Sequence, residues 1–166
     1  METDDHSSER NIKARCFILT VSDSRSFEND HSGHSIRRLL EESGHAVLDY
    51  RIIKNDPSAL RDELSRFLGS DLDLLVITGG TGISRRDITI EIMGPMLEKN
   101  LSGFGELFRH LSFRDVGSRA LMSRALGGVA HGKLLFALPG STQAVQLALR
   151  ELILPELGHL LWEANR

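Results

Sequence analysis

Three apolar runs separated by helix-period segments constrain this chain more than any other feature. Residues Arg15–Val21, 47–53 and 72–78 are strand-like runs rich in leucine and β-branched residues. Between them, 32–43 carries Ile36, Leu39 and Leu40 on one side, and Pro57–Leu68 carries Leu60, Leu64, Phe67 and Leu68. Gly44 is a natural stop for the first of these helices, and Asp56-Pro57 is an N-cap and first-turn pair for the second. Strands that alternate with helices pair in parallel through crossover connections. Strands apolar on both faces belong in a sheet covered by helices on both sides. The spacing predicts an α/β, three-layer sandwich with a mostly parallel, Rossmann-like sheet.

The second half is less regular. A helix beginning at 88–93 is interrupted by Gly94-Pro95, and 104–113 reads as another helix. Residues 125–129 and 134–138 read as two short strands joined around His131-Gly132, a short antiparallel element. Pro139-Gly140-Ser141 then opens a helical stretch over 142–161 that is expected to break near Pro155. Residues 1–13 are expected to form a disordered tail ahead of a single domain over 14–166.

Composition narrows the function. The chain has 166 residues, 40% apolar and 26% charged, enough for one domain with a real core. A net charge of -3 argues against a general nucleic-acid binder, and 5% aromatics leave few platforms for stacking bases. No apolar stretch reaches the length of a membrane span, and the polar start lacks a signal-peptide core. The single cysteine, Cys16, lies in the first strand and reads as a buried apolar residue. The expectation is a cytoplasmic protein with neither nucleic-acid nor membrane partners.

In such sheets ligands sit at the carboxyl ends of the strands. Four loops there carry chemistry. The third strand opens into Thr78-Gly79-Gly80-Thr81-Gly82, followed by Ser84, Arg85, Arg86 and Asp87. Three glycines within four positions let backbone approach a ligand, and loop amides donate to phosphate oxygens. Arginines add positive charge, and a carboxylate such as Asp87 holds a divalent cation. The first strand ends at Ser22-Asp23, the second leads to Asn55-Asp56, and the last ends at Pro139-Gly140-Ser141. Simpler roles stand beside these. Asp56 and Ser141 read as N-caps, Asp87 as a cap for the helix at 88, and Asp23 and Asp30 as solvated loop residues. His31 and His34 share a helix face, but no third ligand at metal spacing joins them, so zinc is not expected. The glycine loop lacks the lysine of a P-loop, and neither a dinucleotide fingerprint nor a nucleophile elbow occurs. The residues alone point to a phosphate-bearing ligand with a divalent metal.

Thr78-Gly79-Gly80-Thr81-Gly82 and, after four intervening residues, Asp87 resemble the signature of the molybdenum-cofactor biosynthesis family that includes MoaB, MogA and the G domain of gephyrin. The similarity extends in order through Thr20-Val21-Ser22-Asp23, Asp30-x-Ser32-Gly33, Gly103-Phe104-Gly105-Glu106-x-Phe108-Arg109, Ser123-Arg124 and Leu138-Pro139-Gly140-Ser141. It is greatest to the MoaB branch and covers roughly residues 14 to 157. The resemblance implies a MogA/MoaB-like fold and magnesium- and ATP-dependent adenylylation of molybdopterin with release of pyrophosphate. It implies that Asp56 and Asp87 are the two acids associated with activity, expected to bind magnesium or orient the pterin rather than to remove a proton. It implies that Ser22, Gly79, Gly80, Thr81, Gly82 and Ser84 hold pterin or phosphate, and that Pro139, Gly140 and Ser141 line the nucleotide side. It further implies a homo-oligomer, trimer or hexamer, and contact with the molybdate-inserting enzyme of the pathway. Some MoaB proteins depart from the pattern at the position of Asp56; this chain keeps both acids. The alternative is a MoaB-like protein that binds molybdopterin without catalysis.

Overall fold

The computed structural model describes residues 12–166. Six strands, β1 (Arg15–Val21), β2 (Ala46–Ile53), β3 (Leu74–Thr78), β4 (Lys99–Asn100), β5 (Leu126–Ala130) and β6 (Lys133–Leu138), form one sheet in the order β2-β1-β3-β6-β5-β4. The first four in that order run parallel. The expected antiparallel element is the β5–β6 hairpin, and β4 extends it at the edge. The helices are α1 (His31–Glu42), α2 (Pro57–Leu68), α3 (Thr89–Met93), α4 (Ser102–Val116), α5 (Thr142–Ala148) and α6 (Leu154–Asn165).

Alternate residues of the apolar strands feed two cores. Cys16, Ile18, Leu74, Val76, Leu134 and Phe136 pack against α1, α4, α5 and α6 on one face. Phe17, Leu19, Leu75, Ile77, Leu135 and Ala137 pack against α2 and α3 on the other. Each such large side chain, fully buried, contributes about 1.5–3 kcal/mol. Burial also pushes the Cys16 thiol up to about 12, which keeps it protonated and inert. Among the described residues no helix is long and apolar enough to cross a membrane.

Some local expectations change. Residues 1–11, most of the expected tail, lie outside the described residues, and Ile12 packs on the core. The helical stretch after Ser141 does not break at Pro155. It passes through a π-helical turn, Leu149–Ile153, into α6, whose first turn accommodates the proline. The wide turn absorbs the ladder bond that proline cannot donate. Strand β4 is two polar residues, Lys99 and Asn100, defined only by pairing with Val129 and Gly128.

Asp30 is not a solvated loop residue: it is 0% exposed. It caps α1 by accepting from the Gly33 amide at 3.1 Å. It also accepts from Thr20 Oγ1 at 2.6 Å, from Tyr50 Oη and from Ser32 Oγ. Burial raises its pKa, but the hydrogen bonds from Thr20, Tyr50, Gly33 and Ser32 outweigh burial and hold it below the usual carboxylate range. One carboxylate thus ties β1, β2 and the start of α1 together beneath the strand ends.

Candidate functional site

Strand β1 lies between β2 and β3, and its neighbours are reached by helices on opposite faces, α1 and α2. The carboxyl ends of β1 and β3 therefore flank the crevice at the topological switch point. The loop after β3 occupies it. Gly79 and Gly80 have φ of +96° and +67°, a conformation that L side chains rarely adopt. A Cβ at Gly79 would lie 2.3 Å from the Val21 carbonyl, and one at Gly80 would lie 2.3 Å from Thr89 Oγ1. Thr89 closes the loop: its amide donates to the Gly80 carbonyl at 2.9 Å and its hydroxyl to the Gly79 carbonyl at 2.8 Å.

Asp87 does not cap the helix after it. The N-cap of α3 is Ile88, with no side-chain hydrogen bond. Asp87 instead folds back into its own loop. Its Oδ2 accepts from the Ser84 amide at 2.9 Å and the Ser84 hydroxyl at 2.7 Å. Partial burial pushes its pKa up. Hydrogen bonds from Ser84 and the Gly82 amide, with the charge of Arg124, pull it down further, so the carboxylate stays ionised.

The loop forms one wall of a cavity of about 390 Å³. Gly79, Gly80, Thr81, Gly82 and Asp87 line one side, and Pro139, Gly140 and Ser141 line another. Eight of the residues singled out in the sequence thus share one space. Ser22, Ser84 and Asp56 are not among its lining residues. Ser22 Oγ accepts from the amides of Ser24 and Arg25, and the residue opens on a separate shallow cleft with Lys54. Ser84 supports Asp87 rather than facing the cavity. Asp56 is the N-cap of α2, accepting from the Ala59 amide at 3.1 Å through Oδ2, and Ser141 caps α5 through the Ala144 amide. Asn55, beside Asp56, does reach the loop: its Oδ1 would lie 3.2 Å from a Cβ on Gly80.

The third wall was not read from the sequence. It is built by α4 and the 3-10 turn Gly117–Met122, which bring Phe108, Val116, Ala120 and Met122 as an apolar surface and Asp115 and Arg119 as charged groups. Gln143 and Ser123 complete it. Asp115 ends α4 and Arg119 lies beyond Gly117, whose φ of +61° breaks the helix, and nothing in the sequence says which face of α4 meets the glycine loop. Among the described residues, two buried oxygens, Asn55 Oδ1 beside the loop and Ser123 Oγ at the cavity wall, have no hydrogen-bond partner. Buried polar atoms normally find partners, so Ser123 Oγ, on a residue of the cavity lining, is suited to a ligand, whereas Asn55 is not among the lining residues.

An apolar wall, a polar glycine loop and an ionised acid together make a cavity for a ligand with both apolar and polar parts. Comparison with known proteins identifies the family. Residues 17–159 match the family model described as a probable molybdopterin binding domain. The chain is 44% identical to molybdenum cofactor biosynthesis protein B of Bacillus cereus, covering 100% of this chain and 99% of that protein. It is 48% identical to the protein of the same name from Staphylococcus aureus, covering 95% and 94%. Its fold superposes on the tungsten cofactor synthesizing protein MoaB of Pyrococcus furiosus with a TM-score of 0.83 at 37% identity, covering 93% of this chain and 98% of that one. With a family model over most of its length and such relatives matched nearly end to end, the chain belongs to the molybdenum cofactor biosynthesis family, alongside the B proteins.

Proposed function

We propose that this chain transfers the adenylyl group of ATP to the terminal phosphate of molybdopterin, releasing pyrophosphate. The observation that carries the reading is the convergence of the glycine loop, ionised Asp87 and the Pro139-Gly140-Ser141 turn on one cavity at the switch point. The nucleophile is a phosphate monoester oxygen. With a second pKa of about 6 the monoester is largely dianionic at neutral pH and needs no strong base. Its oxygen attacks the α-phosphorus of ATP, and the bond from that phosphorus to the bridging oxygen breaks. The task left to the protein is to hold two polyanions in line and offset their repulsion.

The residues suit each part of that task. With the Gly79 amide bound to the Leu138 carbonyl and the Gly82 amide to Asp87, the amides of Gly80 and Thr81 are the loop donors left for phosphate, and the apolar wall at Phe108, Val116 and Met122 suits a planar ring. Arg119, which forms no ion pair among the described residues, is placed to draw phosphate into the cavity. The donor set fits magnesium. Asp87 is a hard, ionised oxygen ligand that lines the cavity. Among the described residues no group of three His, Cys, Asp or Glu forms a cage, which matches an ion that shares its shell with phosphates and water. Asp87 would hold that ion, and magnesium when bound neutralises phosphate charge. Asp56, with Oδ1 free of the cap, would orient the pterin.

The protein is further proposed to work in the cytoplasm as a homo-oligomer, trimer or hexamer, that hands its product to the molybdate-inserting enzyme. Leu107, Phe113 and Leu121 are large, exposed apolar side chains on α4 and the turn after it, and Leu121 is 89% exposed. One observation favours the binding-only alternative: Asp56 is engaged as a cap and stands outside the cavity. Pyrophosphate release decides between them. The transferase reading expects release that requires molybdopterin, ATP and magnesium together; tight pterin binding with no pyrophosphate supports the alternative.

A further inference from the structure

Arg124 follows the wall turn Gly117–Met122 and reaches back over the glycine loop. Its Nε donates to the Thr81 carbonyl at 3.2 Å, and its Nη2 donates to the Gly82 carbonyl. The same guanidinium pairs with both carboxylate oxygens of Glu91 on α3. Glu91 therefore holds the guanidinium plane while the plane holds the loop. This fork geometry is one that arginine supplies and lysine does not.

The consequence for the loop follows from peptide geometry. In a trans peptide the C=O and N–H point in opposite directions. Two carbonyls drawn to Arg124 turn the amides of Gly82 and Ile83 the other way. The Gly82 amide then serves the Asp87 carboxylate. One side chain thus fixes which edge of the loop presents donors. It also ties that loop to the opposite wall. Met122 and Ser123, the two residues before it in sequence, line the cavity, while Arg124 itself does not. Its charge is matched by Glu91, so little is left to attract a phosphate.

The geometry points to Arg124 as a positioning residue that, held by Glu91, clamps the glycine loop to the 117–122 wall and sets the placement of the loop amides and Asp87. The clamp is a structural statement about the free protein; only its effect on turnover rests on the adenylyl-transfer reading. A direct phosphate ligand would behave differently, since any cation at the site would then partly serve, and freeing it from Glu91 would tighten anion binding.

The experiment compares wild type, Arg124→Ala, Arg124→Lys and Glu91→Gln, with circular dichroism as the check on folding. Amide hydrogen exchange over residues 79–87 is read first, in the free protein. Arg124→Ala and Arg124→Lys are both expected to speed exchange there by about tenfold or more, the factor set by losing a charge-assisted hydrogen bond, with the sheet unaffected. Glu91→Gln gives a smaller rise at the same residues, and it is the decisive variant should Arg124→Ala not fold. In the adenylylation assay kcat falls about 100-fold in Arg124→Ala, as for a misplaced reacting group, with KM for ATP little changed. Wild-type exchange in the loop of the folded variants overturns the clamp, as does a lysine that restores kcat or a Glu91→Gln that binds ATP more tightly. If the wild type makes no adenylylated product, the transferase reading fails and the exchange measurement alone decides the clamp.

Discussion

Replacing Asp30 by asparagine tests how the rim beneath the cavity is held. The substitution keeps the shape and one carbonyl-type oxygen. Oδ1 continues to accept from Ser32 Oγ and the Gly33 amide. Oδ2 becomes an NH2 group, which donates and cannot accept. The hydroxyls of Thr20 and Tyr50, which now donate to Oδ2, must turn around in a buried space. Two charge-assisted hydrogen bonds are lost, each about 1.5–3 kcal/mol, and reversed bonds recover part of this. The expected cost at neutral pH is about 2–4 kcal/mol, in the range for disrupting a buried charged network. For a chain of this size that lowers Tm by about 5–15 °C. The pH dependence follows from the sign of the shift. Asp30 has a folded pKa held below its ordinary 3.8, so its contribution is full above that value and is lost as pH falls through the folded pKa. The gap between wild type and Asp30→Asn should be flat near neutrality and close below about pH 4. Urea denaturation at fixed protein concentration, repeated from pH 7 to pH 3, measures it. A gap under about 1 kcal/mol at pH 7, or one that widens in acid, would refute the argument.

Other consequences are as direct. A Cβ at Gly82 would lie 2.7 Å from Asp87 Oδ2, so Gly82→Ala must displace the carboxylate. It should remain folded while kcat falls about 100-fold, and an unchanged kcat in a folded variant contradicts the placement of Asp87. Asp56→Asn separates capping from chemistry, because asparagine caps as well as aspartate. Tm should hold while turnover drops about tenfold, as for one lost charge-assisted contact; unchanged turnover reduces Asp56 to a cap. Leu121→Glu places a charge on the most exposed large apolar side chain among the described residues and should shift sedimentation towards the monomer; an unchanged profile puts the oligomer contact elsewhere.

The parallel half of the fold was legible because β1 and β3 are continuous apolar runs and the helices α1 and α2 carry clear stripes and caps. Asp56-Pro57 reads as a helix start from two residues, and the structure uses it so. The polar strand β4 carries no such pattern, since it exists only through its partners. Asp30 misled for a related reason. A lone aspartate before a helix reads as exposed, and only the fold brings Thr20 and Tyr50 to it. The site divides along the same line. The glycine loop and Asp87 are local in sequence and were found there. The wall from α4 and the turn after it is non-local: Asp115 and Arg119 gain meaning only when α4 packs beside the loop. Arg124 is invisible as a clamp for the same reason, since its partners lie about forty residues upstream.

The measurement that bears most directly on the central claim is mass spectrometry of the product from molybdopterin, ATP and magnesium, with wild type and Asp87→Asn side by side. The account predicts adenylyl-molybdopterin from the wild type and little or none from Asp87→Asn, with pterin binding retained by both. Equal product from both proteins would remove Asp87 from the reaction, and pterin binding without product from either would make this chain a binding protein.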